Sequence, residues 1–184
     1  MHGTHFGRII TFNNEIINNQ RLILANQEER KKDQKELLQL VSFKIGDEEF
    51  GVDILSVQEI NRMSQITKVP NTPDFIEGVI NLRGRVIPVI DLRVKLGMTR
   101  KEHGKNTRIV VVELKGQTLG FIVDEVSEVL RIPKSITEAP PQMVGGIDSD
   151  YITAIGKLED RLLILLDLEK ILTTSEFNVL ETAA

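Results

Sequence analysis

Few side chains in this sequence are placed where they could carry out chemistry. Asp91 and Asp167 each end a strongly apolar segment, where a carboxylate could serve as a general base. Each also precedes a short run with helical character, at 92–96 and 168–172, and an aspartate in that position accepts hydrogen bonds from free backbone N–H groups. We therefore predict that both aspartates cap helices, and that Gly97 ends the first of them.

The other groups capable of catalysis or ligand binding are too sparse to form an active site. The chain has no cysteine, which excludes a disulfide framework, a thiolate zinc site and a cysteine nucleophile. Beyond the first five residues the sequence has a single histidine, His103, in the polar stretch 99–106. A catalytic base needs an orienting group beside it, and no such pairing is visible in the sequence. The sequence predicts a protein that is not an enzyme and uses no cofactor or metal.

The overall composition argues against two further classes of function. The net charge is −4, from 23 basic and 27 acidic side chains, and aromatic residues make up only 4%. A nucleic-acid-binding domain is usually basic and carries aromatic side chains that stack on bases. No apolar run reaches the roughly 18–20 residues of a transmembrane helix. We expect a cytoplasmic protein that binds no nucleic acid and does not insert directly into a membrane.

The first 36 residues differ in composition from the rest of the chain. They are rich in Asn, Gln and charged residues, and they end in a run of alternating charge at 28–36. Such a run is typical of a solvated helix or tail. We predict that residues 1–36 form an extension, disordered or partly helical, which the remainder does not need in order to fold.

From Leu40 onward the sequence has the pattern of short strands. Side chains alternate in polarity along 40–45, and the charged segment 46–49 predicts a hairpin turn. Further strands are predicted at 50–52, 56–61, 78–82, 85–90, 108–114, 117–123, 126–132, 151–158 and 161–166. Short strands separated by Gly, Pro and charged turns favour β-barrels or a sandwich over a parallel α/β sheet.

The strand-forming region repeats itself. The segment 50–60 matches 119–129 at an offset of 69 residues, and the segment 85–92 matches 161–168 at an offset of 76. The two matches occur in the same order along the chain, which is the mark of an internal duplication. We therefore predict two related β units of about 70 residues each, lying side by side.

One segment, 81–92, places a charged side chain at a tight turn. Pro88 cannot donate a hydrogen bond to a neighbouring strand, so its strand is predicted to be an edge strand or to carry a bulge. Gly84 supplies the turn, which holds Arg83 next to the apolar Leu82. An arginine in such a place is either an anchor for a binding partner or a solvated turn residue, and both interpretations stay open.

This segment resembles the Asn-Leu-Arg-Gly…Pro-Val-x-Asp-Leu motif of the bacterial chemotaxis coupling protein CheW. The resemblance continues through 46–60, 71–80 and 123–130, and it covers about residues 38–182. It implies a mainly β fold of two SH3-like five-stranded β-barrels side by side, with short connecting helices and a short C-terminal helix. It also implies a scaffold that joins the cytoplasmic tips of chemoreceptors to the histidine kinase CheA.

The repeat and the resemblance together predict a CheW-like domain at 37–184. Its predicted parts are a first β-barrel at about 40–98, a second at about 106–172 and a C-terminal helix at 173–184. Ser175 is a suitable N-cap residue for this last helix, with Phe177 and Leu180 available to pack inward.

The resemblance also implies a receptor-binding surface. The matching positions are Val57, Glu59, Arg83, Val86 and Val129. The three valines would supply apolar contact for an amphipathic receptor helix, and Glu59 and Arg83 are predicted to pair in the free protein.

The kinase's regulatory domain is the second implied partner, and no residue is assigned to that interface. The free protein is expected to be monomeric and to be recruited to receptor arrays at the membrane. A coupling protein of a different chemosensory-type pathway, such as surface motility or second-messenger control, would share the same motif. That alternative therefore stays open.

Overall fold

The computed structural model describes residues 37–141 and 150–183 of the chain. The elements in chain order are β1 (Leu37–Ile45), β2 (Glu48–Asp53), β3 (Val57–Arg62), β4 (Ile76–Leu82), β5 (Arg85–Asp91), α1 (Leu92–Lys95), β6 (Arg108–Leu114), β7 (Gln117–Val123), β8 (Glu125–Pro133), β9 (Thr137–Glu138), β10 (Ile152–Lys157), β11 (Leu162–Leu166) and α2 (Thr174–Ala183). Every predicted strand is present, with ends that agree to within three residues. The predicted extension at 1–36 lies outside the described residues.

The strands form two sheets. The first sheet has the order β8-β1-β2-β11-β10-β9, and the second sheet has the order β3-β6-β7-β5-β4. Most neighbours are antiparallel, but β11 pairs with β2 and β5 pairs with β7 in parallel. The prediction of a mainly β fold built from two units is confirmed.

The two sequence repeats exchange their first hairpins between the sheets. The second sheet combines β6 and β7 of the second repeat with β3, β4 and β5 of the first. The first sheet makes the reciprocal combination, with β1 and β2 joined to strands of the second repeat. The predicted division at 40–98 and 106–172 follows the repeats along the chain, whereas each sheet takes strands from both. A strand's alternation identifies the strand itself, but its neighbour can lie far away in the sequence, as Ile164 does from Phe50, and is chosen by tertiary packing.

The residue pairing follows the same exchange. Gly51 of β2 pairs with Leu165 of β11, and Gly120 of β7 pairs with Val89 of β5. These two pairs are related by the offsets of 69 and 76 found in the sequence. A Cβ atom on Gly120 would lie 2.8 Å from Cγ2 of the buried Ile109 on β6, so glycine at this position leaves room for that side chain.

The apolar core has three parts. Each sheet covers a small cluster of its own, and the largest cluster takes side chains from both sheets and from α2. The cluster of the second sheet comprises Ile80, Ile87, Val89, Ile109, Val111 and Ile122, and that of the first comprises Leu40, Ile132, Leu163 and Leu165. Alternate side chains of each strand point to opposite faces, so one strand supplies both a small cluster and the shared one.

The first predicted helix cap is confirmed, and the second is not. Asp91 accepts a hydrogen bond from the Val94 N–H at 3.2 Å and begins α1. The segment 168–172 forms turns instead of the predicted helix. There Asp167 accepts a hydrogen bond from the Glu169 N–H at 3.0 Å, which closes a local turn two residues on.

The C-terminal helix spans Thr174–Ala183, within the range 173–184 predicted for it. Thr173 and Glu176 cap it reciprocally: the Glu176 N–H donates to Thr173 Oγ1 at 3.3 Å, and the Thr173 N–H donates to Glu176 Oε2 at 2.8 Å. This capping box replaces the predicted role of Ser175. Phe177 and Leu180 are buried, as predicted.

Pro88 lies on an inner strand, not on an edge. Its strand, β5, is flanked by β7 and β4. The parallel ladder between β5 and β7 begins at Val89, directly after the proline. The irregularity in the pairing lies on the partner strand, between Ile76 and Gly78 of β4.

Candidate partner-binding surface

The turn between β4 and β5 holds Arg83 in an unusual backbone conformation. Arg83 has a φ of 53° and Gly84 a φ of 83°, the two positive values that a two-residue type I′ hairpin requires. Asn81 Oδ1 accepts a hydrogen bond from the Gly84 N–H at 2.9 Å. A left-handed conformation is uncommon for any residue other than glycine. The turn therefore fixes where the Arg83 side chain leaves the sheet.

Arg83 forms the predicted ion pair with Glu59. The distance from Arg83 Nη2 to Glu59 Oε2 is 2.9 Å, and the two side chains are 78% and 22% exposed. Glu59 lies on β3 and Arg83 follows β4, which are the two outer strands of the second sheet. The ion pair therefore spans the gap where the sheet curls round on itself. An ion pair this exposed contributes only about 0–1 kcal/mol to stability.

The strand that carries Glu59 is bulged. The pairing of β3 with β6 shifts register between Val57, opposite Val112, and Glu59, opposite Val111. Such a bulge changes the direction in which the following side chains point. Val57 is half-buried and packs against the shared core.

The other two predicted site residues are exposed valines. Val86, on β5, is 51% exposed and lines a surface cavity of about 240 Å³. Val129, on β8 of the first sheet, is 55% exposed. The offset of 69 makes Val129 the equivalent of Ile60, which follows Glu59 on β3 and is 40% exposed. The second sheet thus carries Val57, the ion pair and Val86, whereas Val129 lies on the first sheet.

Sequence reasoning missed a second ion-pair network, centred on Arg161. Its Nε lies 2.6 Å from Glu49 Oε2, and its Nη2 lies 2.9 Å from Glu128 Oε1. The hydrogen bond with Glu49 raises the pKa of Arg161 above its ordinary value. The internal repeat held the signal, because the offset of 69 makes Glu128 the equivalent of Glu59.

Another acid, Asp124, connects distant parts of the chain. It accepts hydrogen bonds from the Arg93 guanidinium and, at 2.8 Å, from the Gly46 N–H. Burial by itself would raise the pKa of Asp124, but these hydrogen bonds and the charge of Arg93 lower it overall. The carboxylate thereby links α1 to the turn between β1 and β2.

The chemistry available to these groups is recognition by charge and apolar contact. The described residues contain no group of His, Cys, Asp and Glu arranged to hold a metal ion. None of the described helices has the length and apolar character needed to cross a membrane. Glu59 and Arg83 present an ion pair at the surface, and Ile60, the residue after Glu59, is an exposed apolar side chain.

Comparison with known proteins identifies the family. A family model described as the CheW-like domain matches residues 39–176. The "Chemotaxis protein CheW" of Klebsiella aerogenes is 41% identical over 142 residues, which is 77% of this chain and 86% of that protein. The protein of the same name from Helicobacter pylori is 39% identical over 149 residues, covering 80% and 89%. The chain belongs to the CheW-like domain family.

A solved structure agrees with this assignment. The scaffolding protein TtCheW of Thermoanaerobacter tengcongensis is similar to this chain with a TM-score of 0.70 and 40% sequence identity. The match covers 76% of this chain and 94% of TtCheW. The fold predicted from the resemblance is therefore confirmed by a relative of known structure.

Proposed function

We propose that this chain is a non-enzymatic scaffold of bacterial chemotaxis that couples the cytoplasmic tips of chemoreceptors to the histidine kinase CheA. It works in the cytoplasm, as a monomer when free, and is recruited to receptor arrays at the membrane. Family membership supports the chemotactic role. The observation that carries the coupling role is the exposed Arg83–Glu59 pair, held in place by a strained turn.

The receptor side of the proposal uses Val57, Glu59, Arg83, Val86 and Val129. A receptor tip is a helical hairpin, and an amphipathic helix docks through apolar anchors with charged groups at their margin. Glu59 holds Arg83 in one orientation, so little side-chain entropy is lost when a receptor carboxylate or carbonyl binds it. Because the pair is exposed, Arg83 contributes more to specificity than to folding.

The test of the receptor side is Arg83→Glu, assayed by calorimetric titration with a receptor hairpin fragment. We expect the affinity to fall at least about tenfold, while the melting temperature shifts by no more than a few degrees. Lys170→Glu is the matched control, since it breaks another exposed ion pair, with Asp167 at 3.3 Å. Equal losses of stability and binding in Arg83→Glu would show that Arg83 is structural.

A charge exchange separates contact from orientation. The double variant Glu59→Arg with Arg83→Glu restores an ion pair in the free protein. If Arg83 contacts the receptor directly, the exchange leaves binding weak. Recovery of binding would mean that the receptor recognises the turn that the ion pair holds in place and makes no direct contact with the arginine side chain.

The kinase side is tested by titrating the chain with the regulatory domain of a CheA-type kinase from the same genome. We expect saturable binding with one molecule of each. No binding at tens of micromolar, with the chain folded, would contradict the coupling role.

A further inference from the structure

The two sheets differ in how the arginine at the start of one parallel strand is paired with a carboxylate. In the first sheet, Arg161 at the start of β11 is neutralised by Glu49 of β2 at 2.6 Å. Glu49 is only 7% exposed, so this arginine has a nearly buried counter-charge. The two strands are parallel neighbours, paired through Gly51 and Leu165.

The second sheet has an equivalent arginine that forms no ion pair with any described residue. The offset of 76 makes Arg85, at the start of β5, the equivalent of Arg161. The offset of 69 makes Gln117 and Thr118 of β7 the equivalents of Glu48 and Glu49. Among the described residues, Arg85 forms no ion pair.

A cavity lies where the missing carboxylate would be. Arg85 and Thr118 both line it, and its volume is about 240 Å³. The other lining residues are Val86, Ile87, Pro88, Gln117, Leu119 and Leu180, the last from α2. No acidic side chain is among them. The cavity therefore combines mainly apolar walls with one guanidinium that forms no ion pair among the described residues. The group that complements it is a carboxylate next to an apolar side chain.

We propose that this cavity receives an acidic side chain of the kinase's regulatory domain, flanked by an apolar one, in the position that Glu49 takes toward Arg161. This inference rests on the proposed coupling function. A scaffold that joins two partners needs two surfaces, and the Glu59–Arg83 pair accounts for the receptor. The cavity is the second candidate surface, and Val86 lies at the border between the two.

The guanidinium suits this role better than a lysine would. Its planar fork binds a carboxylate through two parallel hydrogen bonds, which fixes the orientation of the partner as well as its charge. The apolar walls exclude water from such a pair and so strengthen it. Arg85 is expected to be the anchor, and Val86, the half-exposed apolar residue of the lining, is expected to pack against the partner's apolar side chain.

The first test asks whether the site accepts a carboxylate at all, without any partner. Thr118→Glu supplies from within the chain the group that Glu49 supplies in the first sheet. Glu113 lies directly opposite Thr118 on β6, so the comparison is made in a Glu113→Gln background that removes the like charge. We expect Thr118→Glu to melt about 2 °C higher than Thr118→Gln. The gain should vanish when Arg85→Gln is added; a gain that persists, or no gain, would overturn the carboxylate site.

The second test is titration of the same variants with the kinase's regulatory domain and, separately, with a receptor hairpin. Thr118→Glu fills the site from within, so we expect kinase binding to weaken at least about tenfold while receptor binding is unchanged. Arg85→Gln should act in the same direction, and Thr118→Gln should bind as the parent does.

The outcomes separate this inference from the function on which it rests. If the parent chain binds the regulatory domain and Thr118→Glu binds it equally well, the cavity is not the docking site and the coupling function stands. If the loss falls on the receptor instead, the assignment of the cavity to the kinase is wrong. If the parent binds no regulatory domain, the coupling function and the docking site both fail.

Discussion

Gly78 holds the sharpest steric constraint near the candidate surface. It lies on β4 with a φ of 145°, and a Cβ atom there would sit 2.3 Å from Thr67 O and 2.8 Å from Ile66 Cγ2. Thr67 is bound to the same strand by two hydrogen bonds with Val79, at 2.9 and 2.8 Å. A methyl group at position 78 therefore has to push a backbone segment away from the strand that leads to Arg83.

The cost of Gly78→Ala follows from these contacts. The backbone strain contributes about 1–3 kcal/mol, because the conformation is one that side chains disfavour. Loss of the two hydrogen bonds contributes about 0.5–1.5 kcal/mol each. We expect a loss of about 2–6 kcal/mol in the free energy of unfolding, which lowers the melting temperature by roughly 4–24 °C.

Gly84→Ala is the matched control. Gly84 also has a positive φ, of 83°, but nothing lies within 4 Å of its added Cβ. In this variant the free energy of unfolding should fall only by the cost of the backbone strain, about 1–2 kcal/mol. Urea denaturation measures both variants, provided that the dependence on denaturant keeps the slope of the parent. Equal losses in Gly78→Ala and Gly84→Ala would refute the steric argument, since they would show that the segment at Thr67 yields freely.

Two further predictions concern the helix cap and the carboxylate of Asp124. Thr173→Ala should lower the free energy of unfolding by about 1 kcal/mol, because Thr173 Oγ1 accepts a hydrogen bond from the Glu176 N–H. Ser175→Ala should lower it by less. Urea denaturation measures both variants, and a larger loss in Ser175→Ala would contradict the capping box. The pKa of Asp124 is lower in the folded chain than in the unfolded one, so its contribution to stability is present above about pH 4 and is lost as the pH falls through the folded pKa. Asp124→Asn should therefore flatten the acid limb of a stability profile measured between pH 6 and pH 2, and an unchanged limb would show that Asp124 does not carry it.

The ion pair and the turn of the candidate surface were predictable from the sequence, but the arrangement around them was not. The turn chemistry of Arg83 and Gly84 and the pairing of Arg83 with Glu59 followed from the sequence and the family resemblance. The network of Arg161 with Glu49 did not, because its two residues are 112 positions apart. The cavity beside Arg85 was also invisible, since it depends on α2 lying near β5 and β7.

The sequence by itself determined the strands, the hairpin turns, the duplication and the family. These are local properties: alternation of side chains, residues that tolerate a positive φ, and short motifs in fixed order. Only the tertiary structure decided that the repeats exchange hairpins, so that Gly51 meets Leu165 and Gly120 meets Val89. Both arrangements preserve the same local pattern, and the choice between them depends on which apolar faces pack together over long distances. The same exchange places Glu49 beside Arg161 and brings Arg85 and Thr118 to one cavity, where Arg85 forms no ion pair with any described residue.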